Sequence, residues 1–175
     1  MTKSTVNTTT MFVFAGVLAM AAPARADEMQ VSGTSYLNQV EAHAIPAGGN
    51  PTHVFDVEKW VGANSSPNWF GTMQFTAVSI NEIEMKQGTV EAKAAIFWSN
   101  EEGSVSGSYV GKSAFRIDES IPKGGYEGTW ELTSGTGRYA NVRGRGTVKG
   151  EFTGTSAIDH WKGTITGFEK RASTQ

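Results

Sequence analysis

The sequence predicts an all-β fold: a single antiparallel barrel of eight strands connected in up-and-down order. Three observations support this prediction. Apolar and polar side chains alternate with period two along much of the chain, no stretch shows convincing helical periodicity, and glycines recur on the same strand faces as tryptophans. Neighbouring strands without intervening helices favour a barrel or a sandwich. Because glycine weakens a strand unless the sheet coils sharply, glycines interleaved with large rings favour the barrel.

Residues 1–26 are predicted to be a cleavable secretory signal peptide rather than part of the barrel. Lys3 supplies a positive charge and precedes the apolar run 11–22. That run is too short to span a bilayer, which takes about 20 apolar residues. The small residues Ala24 and Ala26 flank one tolerant position, as signal peptidase requires. The sequence therefore predicts export to the periplasm or beyond the cell, with residues 27–175 forming one barrel domain.

The strands are expected in eight segments. Five have the composition of strands and occupy 30–42, 52–60, 71–80, 89–98 and 104–118. Three more show clear alternation and occupy 126–133, 142–153 and 160–167. The longest irregular segments are 44–51 and 61–70. At the end of the second, Trp69 and Phe70 would form either a lid over a cavity or, as the pattern favours, a plug of the core.

Composition excludes several classes of function. The chain has 15 basic and 17 acidic residues, and loss of Lys3 and Arg25 with the signal peptide leaves 13 against 17, a net charge of −4. A protein of that charge is a poor partner for nucleic acid. Cysteine is absent, and the three histidines lack metal-ligand spacing, so neither thiol chemistry nor a metal site is expected. No phosphate or dinucleotide loop is present, no cofactor is expected, and no membrane association is expected after cleavage.

The segment 134–147 carries a family resemblance. It reads SGTGRYANVRGRGT and resembles a strand–turn–strand signature, G-G-T-G-x-[FY], of the allene oxide cyclase and dirigent superfamily of barrels. The EGTW at 127–130 and the WKG at 161–163 look like companions of that turn in secreted bacterial members. Ser134 replaces the first glycine of the signature. The resemblance implies the barrel fold and, as an activity, cofactor-independent cyclisation or isomerisation of a small hydrophobic substrate.

Three residues are candidates for catalysis: Asp56, Arg138 and His160. Asp56 shares a strand face with Glu58 and Trp60, and would suit acid–base work if that face lined a cavity. Binary patterning instead favours a solvent-facing row, with Phe55 and Val57 forming the core.

The basic candidates also have two interpretations each. His160 alternates with polar residues, which favours exposure over a role as general base. Arg138, together with Arg143, Arg145 and Lys149, would receive an anion at a barrel mouth; an exterior row of charges is the simpler interpretation for the last three.

The aromatic residues are the candidates for ligand binding. They are Trp60, Trp69, Trp98, Trp130, Tyr139 and Trp161. They would stack on an apolar or aromatic molecule inside the barrel, or simply fill the space opposite glycines. Three functions therefore stay open: a module that binds a small hydrophobic or aromatic ligand, a cofactor-independent cyclase or isomerase, and a structural or protein-binding barrel that forms homo-oligomers.

Overall fold

The computed structural model describes residues 28–168, which form one closed antiparallel barrel of eight strands in sequence order. The strands are β1 (Met29–Ala47), β2 (Asn50–Ser66), β3 (Gly71–Glu84), β4 (Thr89–Asn100), β5 (Gly103–Asp118), β6 (Ile121–Gly137), β7 (Arg143–Thr153) and β8 (Ser156–Thr166). Each strand pairs with its neighbour in the chain, and β8 pairs with β1 to close the ring. The predicted fold class and strand order are confirmed. The predicted signal peptide lies outside the described residues.

The strands are longer than alternation alone predicted. β1 and β2 extend through most of the expected loop 44–51, leaving a two-residue turn at Gly48 and Gly49, both with positive φ. A tight hairpin turn needs that conformation, which glycine adopts without steric cost. Likewise β2 runs to Ser66, so the expected loop 61–70 shrinks to a turn at 67–70. Within the described residues, no helix has the length and apolarity needed to cross a membrane.

Glycines inside the barrel make room for indole rings. A Cβ on Gly146 or Gly163 would collide with the ring of Trp130, and a Cβ on Gly33 would collide with the ring of Trp161. A Cβ at these positions would also collide with backbone atoms of neighbouring strands, which cannot move aside as a flexible side chain can. The interleaving of glycine and tryptophan predicted a coiled barrel for this reason, and the structure shows the contacts directly.

One end of the barrel, here called the plugged end, is filled by side chains. The turn after β2 places Trp69 and Phe70 inside, and the segment after β6 adds Tyr139 and Val142, both fully buried. Trp69 packs edge-on against Tyr139 with ring centroids 6.3 Å apart. The interpretation of Trp69 and Phe70 as a plug is confirmed, although they lie in the turn rather than at the start of β3.

Candidate functional site

An internal cavity of about 460 Å³ occupies the other half of the barrel. Its lining includes Met85, Ile117 and Gly154, which lie beside the turns opposite the plugged end. The cavity therefore reaches that end, here called the open end. Its volume falls in the range of small-molecule sites, roughly 300–1,000 Å³.

Three tryptophans separate the cavity from the plug. Trp98, Trp130 and Trp161 are each at least 96% buried. Their ring centroids lie 5.2 Å (Trp98–Trp161), 6.0 Å (Trp130–Trp161) and 6.1 Å (Trp98–Trp130) apart. All three also line the cavity, so the ring surfaces that face the open end form an apolar floor. Such a floor would stack on an aromatic or apolar molecule.

Two carboxylates lie on the cavity wall formed by β2. Asp56 is 6% exposed, and its Oδ1 has no hydrogen-bond partner among the described residues. Glu58 accepts hydrogen bonds from Gln39 Nε2 at 2.7 Å and from Trp60 Nε1 at 2.9 Å. Burial raises the pKa of the Glu58 carboxyl, the neighbouring Asp56 raises it further, and the Trp60 hydrogen bond opposes the change. The protonated form of Glu58 is therefore favoured more than in a glutamate exposed to water.

The expectation that Asp56 and Glu58 face solvent is wrong. Phe55 and Val57 are instead the exposed residues, at 44% and 42%. Trp60 explains the outcome, because it shares a face with both carboxylates and packs against the core. Turning that face outward would expose the indole of Trp60 to water. The interior would then receive Phe55 and Val57 in its place.

A second polar pair lies across the barrel, on β8 and β6. Tyr126 donates a 2.9 Å hydrogen bond to Asp159 Oδ2, and Asp159 is 6% exposed. Burial raises the pKa of the Asp159 carboxyl, partly offset by hydrogen bonds from Ser35 and Tyr126. Burial and the charge of Asp159 raise the pKa of Tyr126, and burial raises that of Tyr109 to about 12. Both tyrosines therefore remain protonated donors at neutral pH.

The free energy of unfolding should fall as pH rises because the carboxyl groups of Glu58 and Asp159 are buried in the folded chain. Both carboxyl groups have a higher pKa in the folded chain, so the folded state keeps protons that the unfolded chain loses above about pH 4. This contribution is complete below that pH and is lost as pH rises through the folded pKa values. Urea unfolding of the wild type should show a lower free energy of unfolding at pH 8 than at pH 5. The double variant Glu58→Gln, Asp159→Asn should show a smaller fall; parallel profiles would contradict the assignment.

The predicted ligand-binding aromatic residues divide into two groups. Trp60, Trp98, Trp130 and Trp161 line the cavity. Trp69 and Tyr139 belong to the plugged end and have no surface in the cavity. The Tyr139 hydroxyl donates to Glu102 Oε2 at 3.2 Å and accepts from Asn100 Nδ2 at 3.1 Å.

The three candidate catalytic residues are not brought together. Asp56 lies in the cavity, whereas Arg138 lies at the plugged end and His160 is exposed on the outer face of β8. The His160 ring contacts Thr34 Oγ1 at 3.0 Å on that outer face, as its polar neighbours predicted. A site that uses all three residues is therefore not formed within this barrel.

Arg138 connects separate segments of the chain at the plugged end. Its guanidinium lies 2.7 Å from Glu102 Oε2 and 4.9 Å from the ring centroid of Phe168, which stacks on Tyr139. Both charged side chains are about 70–75% buried. These contacts join the chain after β6 to the turn before β5 and to the residues after β8.

Replacing Arg138 should affect stability and leave the cavity intact. We expect Arg138→Ala to lower the free energy of unfolding by about 1–2 kcal/mol, through loss of the ion pair and the ring contact. Arg145→Ala, on the exposed face of β7, is the control and should change it by less than about 0.5 kcal/mol. Urea unfolding measures both free energies. Equal losses would show that the contacts of Arg138 stabilise the fold no more than those of an exposed arginine.

Several residues that line the cavity were not predicted from the sequence: Asp159, Tyr126, Tyr109, Ser79 and Asn81. For the first two, a signal was present. Asp159 alternates in phase with Trp161, and Tyr126 alternates in phase with Trp130. A buried tryptophan two or four residues away on the same strand face places such a residue inside the barrel.

The fold and the cavity define the class of protein: a closed, up-and-down, eight-stranded barrel with an aromatic cavity that carries carboxylates. No family model and no curated protein matches the chain. Among solved structures it is similar to the pterocarpan synthase dirigent protein GePTS1, with a TM-score of 0.48, 13% identity, and coverage of 83% of this chain and 94% of that one.

A second solved structure, the pterocarpan synthase dirigent protein PsPTS1, has a TM-score of 0.44 and 13% identity, and the match covers 84% of this chain and 100% of that one. At this level of similarity, function has to be inferred from the residues of the barrel itself.

Proposed function

We propose that this chain is an exported barrel that binds a small apolar or aromatic molecule in its internal cavity. The observation that carries the proposal is the cavity itself: about 460 Å³, floored by three buried tryptophans and bordered by a few polar groups. A core that had only to be stable would fill this space, because interiors pack nearly without voids. An apolar pocket with few, placed polar groups is the usual form of a small-molecule site.

Blocking the cavity tests the proposal. Ala94 points inward and lines the cavity, whereas the next residue, Ala95, is exposed on the outer face. A panel of aromatic and aliphatic compounds should change the intrinsic tryptophan emission of the wild type. Ala94→Phe should weaken that response at least tenfold, and Ala95→Phe should leave it unchanged. A panel without effect on the wild type, or equal responses in both variants, would overturn the proposal.

A second candidate function is a cofactor-independent rearrangement, such as ring closure or isomerisation. The observation that favours it is the neighbouring pair Asp56 and Glu58, where burial raises the pKa of one acid beside another in an apolar cavity. Carboxyl groups with a raised pKa serve as general acids near neutral pH. Confinement against the tryptophan floor would supply the orientation that ring closure needs.

The two functions differ in what Glu58→Gln does. In a binding protein the variant should keep ligand affinity within a few fold and no product should form with either protein. In an enzyme the wild type should convert a bound compound, detected by mass spectrometry and chromatography, and Glu58→Gln should bind it but convert it at least 100-fold more slowly. Arg138→Ala and His160→Ala should leave binding and turnover unchanged, because neither residue lines the cavity.

A further inference from the structure

The ionisable carboxyl and amino groups among the described residues that line the cavity are almost all acidic. Among the described residues that line it, three carry carboxylates: Asp56, Glu58 and Asp159. Lys112 is the single basic residue of the lining within residues 28–168; it is exposed and pairs in register with Glu91 and Glu127 on the outer surface. The part of the chain that the structure describes therefore places three acids in the cavity and no cation that points inward beside them.

Acceptors on β2 and β3 remain unpaired and buried. Asp56 and Ser79 are each 6% exposed, and neither Asp56 Oδ1 nor Ser79 Oγ has a hydrogen-bond partner among the described residues. Ser79 lies opposite Glu58 in the strand register, and Asn81 lies opposite Asp56. These four inward side chains form one polar patch on an otherwise apolar wall. A buried acceptor without a partner costs free energy, which a ligand with N–H donors would recover.

From this arrangement we propose that the ligand is an aromatic amine or a similar organic cation, with its ammonium group at Asp56 Oδ1 and Ser79 Oγ. The inference rests on the proposed internal ligand site and specifies the chemistry of its occupant. An ammonium has three donors and no acceptor, which matches two unpaired oxygens beside the carboxyl group of Glu58. Its charge would offset the cost of an ionised carboxylate in an apolar cavity.

The walls suit the rest of such a molecule. Trp60, adjacent in the patch, and the floor tryptophans offer ring faces to a cation or an aromatic ring. A bare metal ion is a poor match for these apolar walls, and no group of three or more His, Cys, Asp or Glu within residues 28–168 is arranged to hold one. The cavity is also far larger than an ion needs.

Paired probes test the inference on the wild type without any substitution. The probes are 2-(2-naphthyl)ethylamine and its neutral counterpart 2-(2-naphthyl)ethanol, which differ only in the terminal group. Isothermal titration calorimetry at pH 7 should show the amine binding at least tenfold more tightly than the alcohol. Equal affinities, or tighter binding of the alcohol, would overturn the cationic assignment while supporting the internal site. If neither probe nor any compound of the aromatic panel binds, both the site and the inference fail.

Variants locate the charge that is recognised. Asp56→Asn should weaken amine binding at least tenfold and alcohol binding less than threefold, and retained alcohol binding shows that the variant is folded. Ser79→Ala should weaken amine binding by a smaller factor. Glu91→Gln, which removes an exposed outward carboxylate, is the matched control and should change neither affinity. A similar loss for both probes in Asp56→Asn, or an effect of Glu91→Gln as large as that of Asp56→Asn, would contradict the inference.

Discussion

Replacing Trp161 with alanine should lower the free energy of unfolding by about 3–5 kcal/mol, a large part of the 5–15 kcal/mol typical of a domain. Trp161 is 3% exposed and packs against Trp98, Trp130 and Phe70. Its removal would join the cavity to the plug and leave neighbouring rings without contacts. Its indole Nε1 also donates a 2.6 Å hydrogen bond to the buried Asn64 Oδ1, which would lose that donor.

Urea unfolding monitored by far-ultraviolet circular dichroism measures this effect. Phe97→Ala removes an aromatic ring that is 45% exposed on the outer face of β4 and is the control. It should cost less than about 1 kcal/mol, since most of that ring is already in contact with water. A loss below 1 kcal/mol for Trp161→Ala, or one no larger than that of Phe97→Ala, would show that the floor does not hold the barrel together.

Adding one methyl group at Gly163 should destabilise the barrel by about 2–3 kcal/mol, although alanine is a small residue. A Cβ there would lie 2.8 Å from the Cα of Gly146 and would also collide with the Trp130 ring and the Arg145 carbonyl oxygen. Two of these three neighbours are backbone atoms of the paired strand β7, so the collision cannot be relieved by a rotamer change.

Gly125→Ala provides the matched control on the outer surface. A Cβ at Gly125 would meet only the Gly150 carbonyl oxygen, at 3.5 Å, and the residue is exposed. The substitution should be neutral or should stabilise by up to about 1 kcal/mol, because it restricts the unfolded chain. Chemical unfolding of both variants distinguishes crowding from a general intolerance of β-strand glycine replacement; equal effects would rule out the crowding explanation.

The candidate site was predictable only in part. Four of the six aromatic ligand candidates line the cavity, and Asp56 does as well. Arg138 and His160 were chosen for their chemistry. The polar neighbours of His160 correctly favoured exposure, whereas the motif around Arg138 did not indicate that this residue lies at the plugged end, after β6. Asp159 was overlooked beside His160, although its phase with Trp161 indicated an inward side chain.

The sequence by itself determined the barrel, its eight strands and the crowding of glycine against tryptophan, because period-two alternation and residue size are local properties of the chain. Only the tertiary structure decided which face of β2 is inside. Both faces of that strand carry apolar groups, and binary patterning favoured the wrong one, with Phe55 and Val57 inside and Asp56 in solvent. Closure of the barrel determined the orientation of β2, because the face that carries Trp60 packs against the core. Asp56 and Glu58 lie on that face and therefore point inward as well.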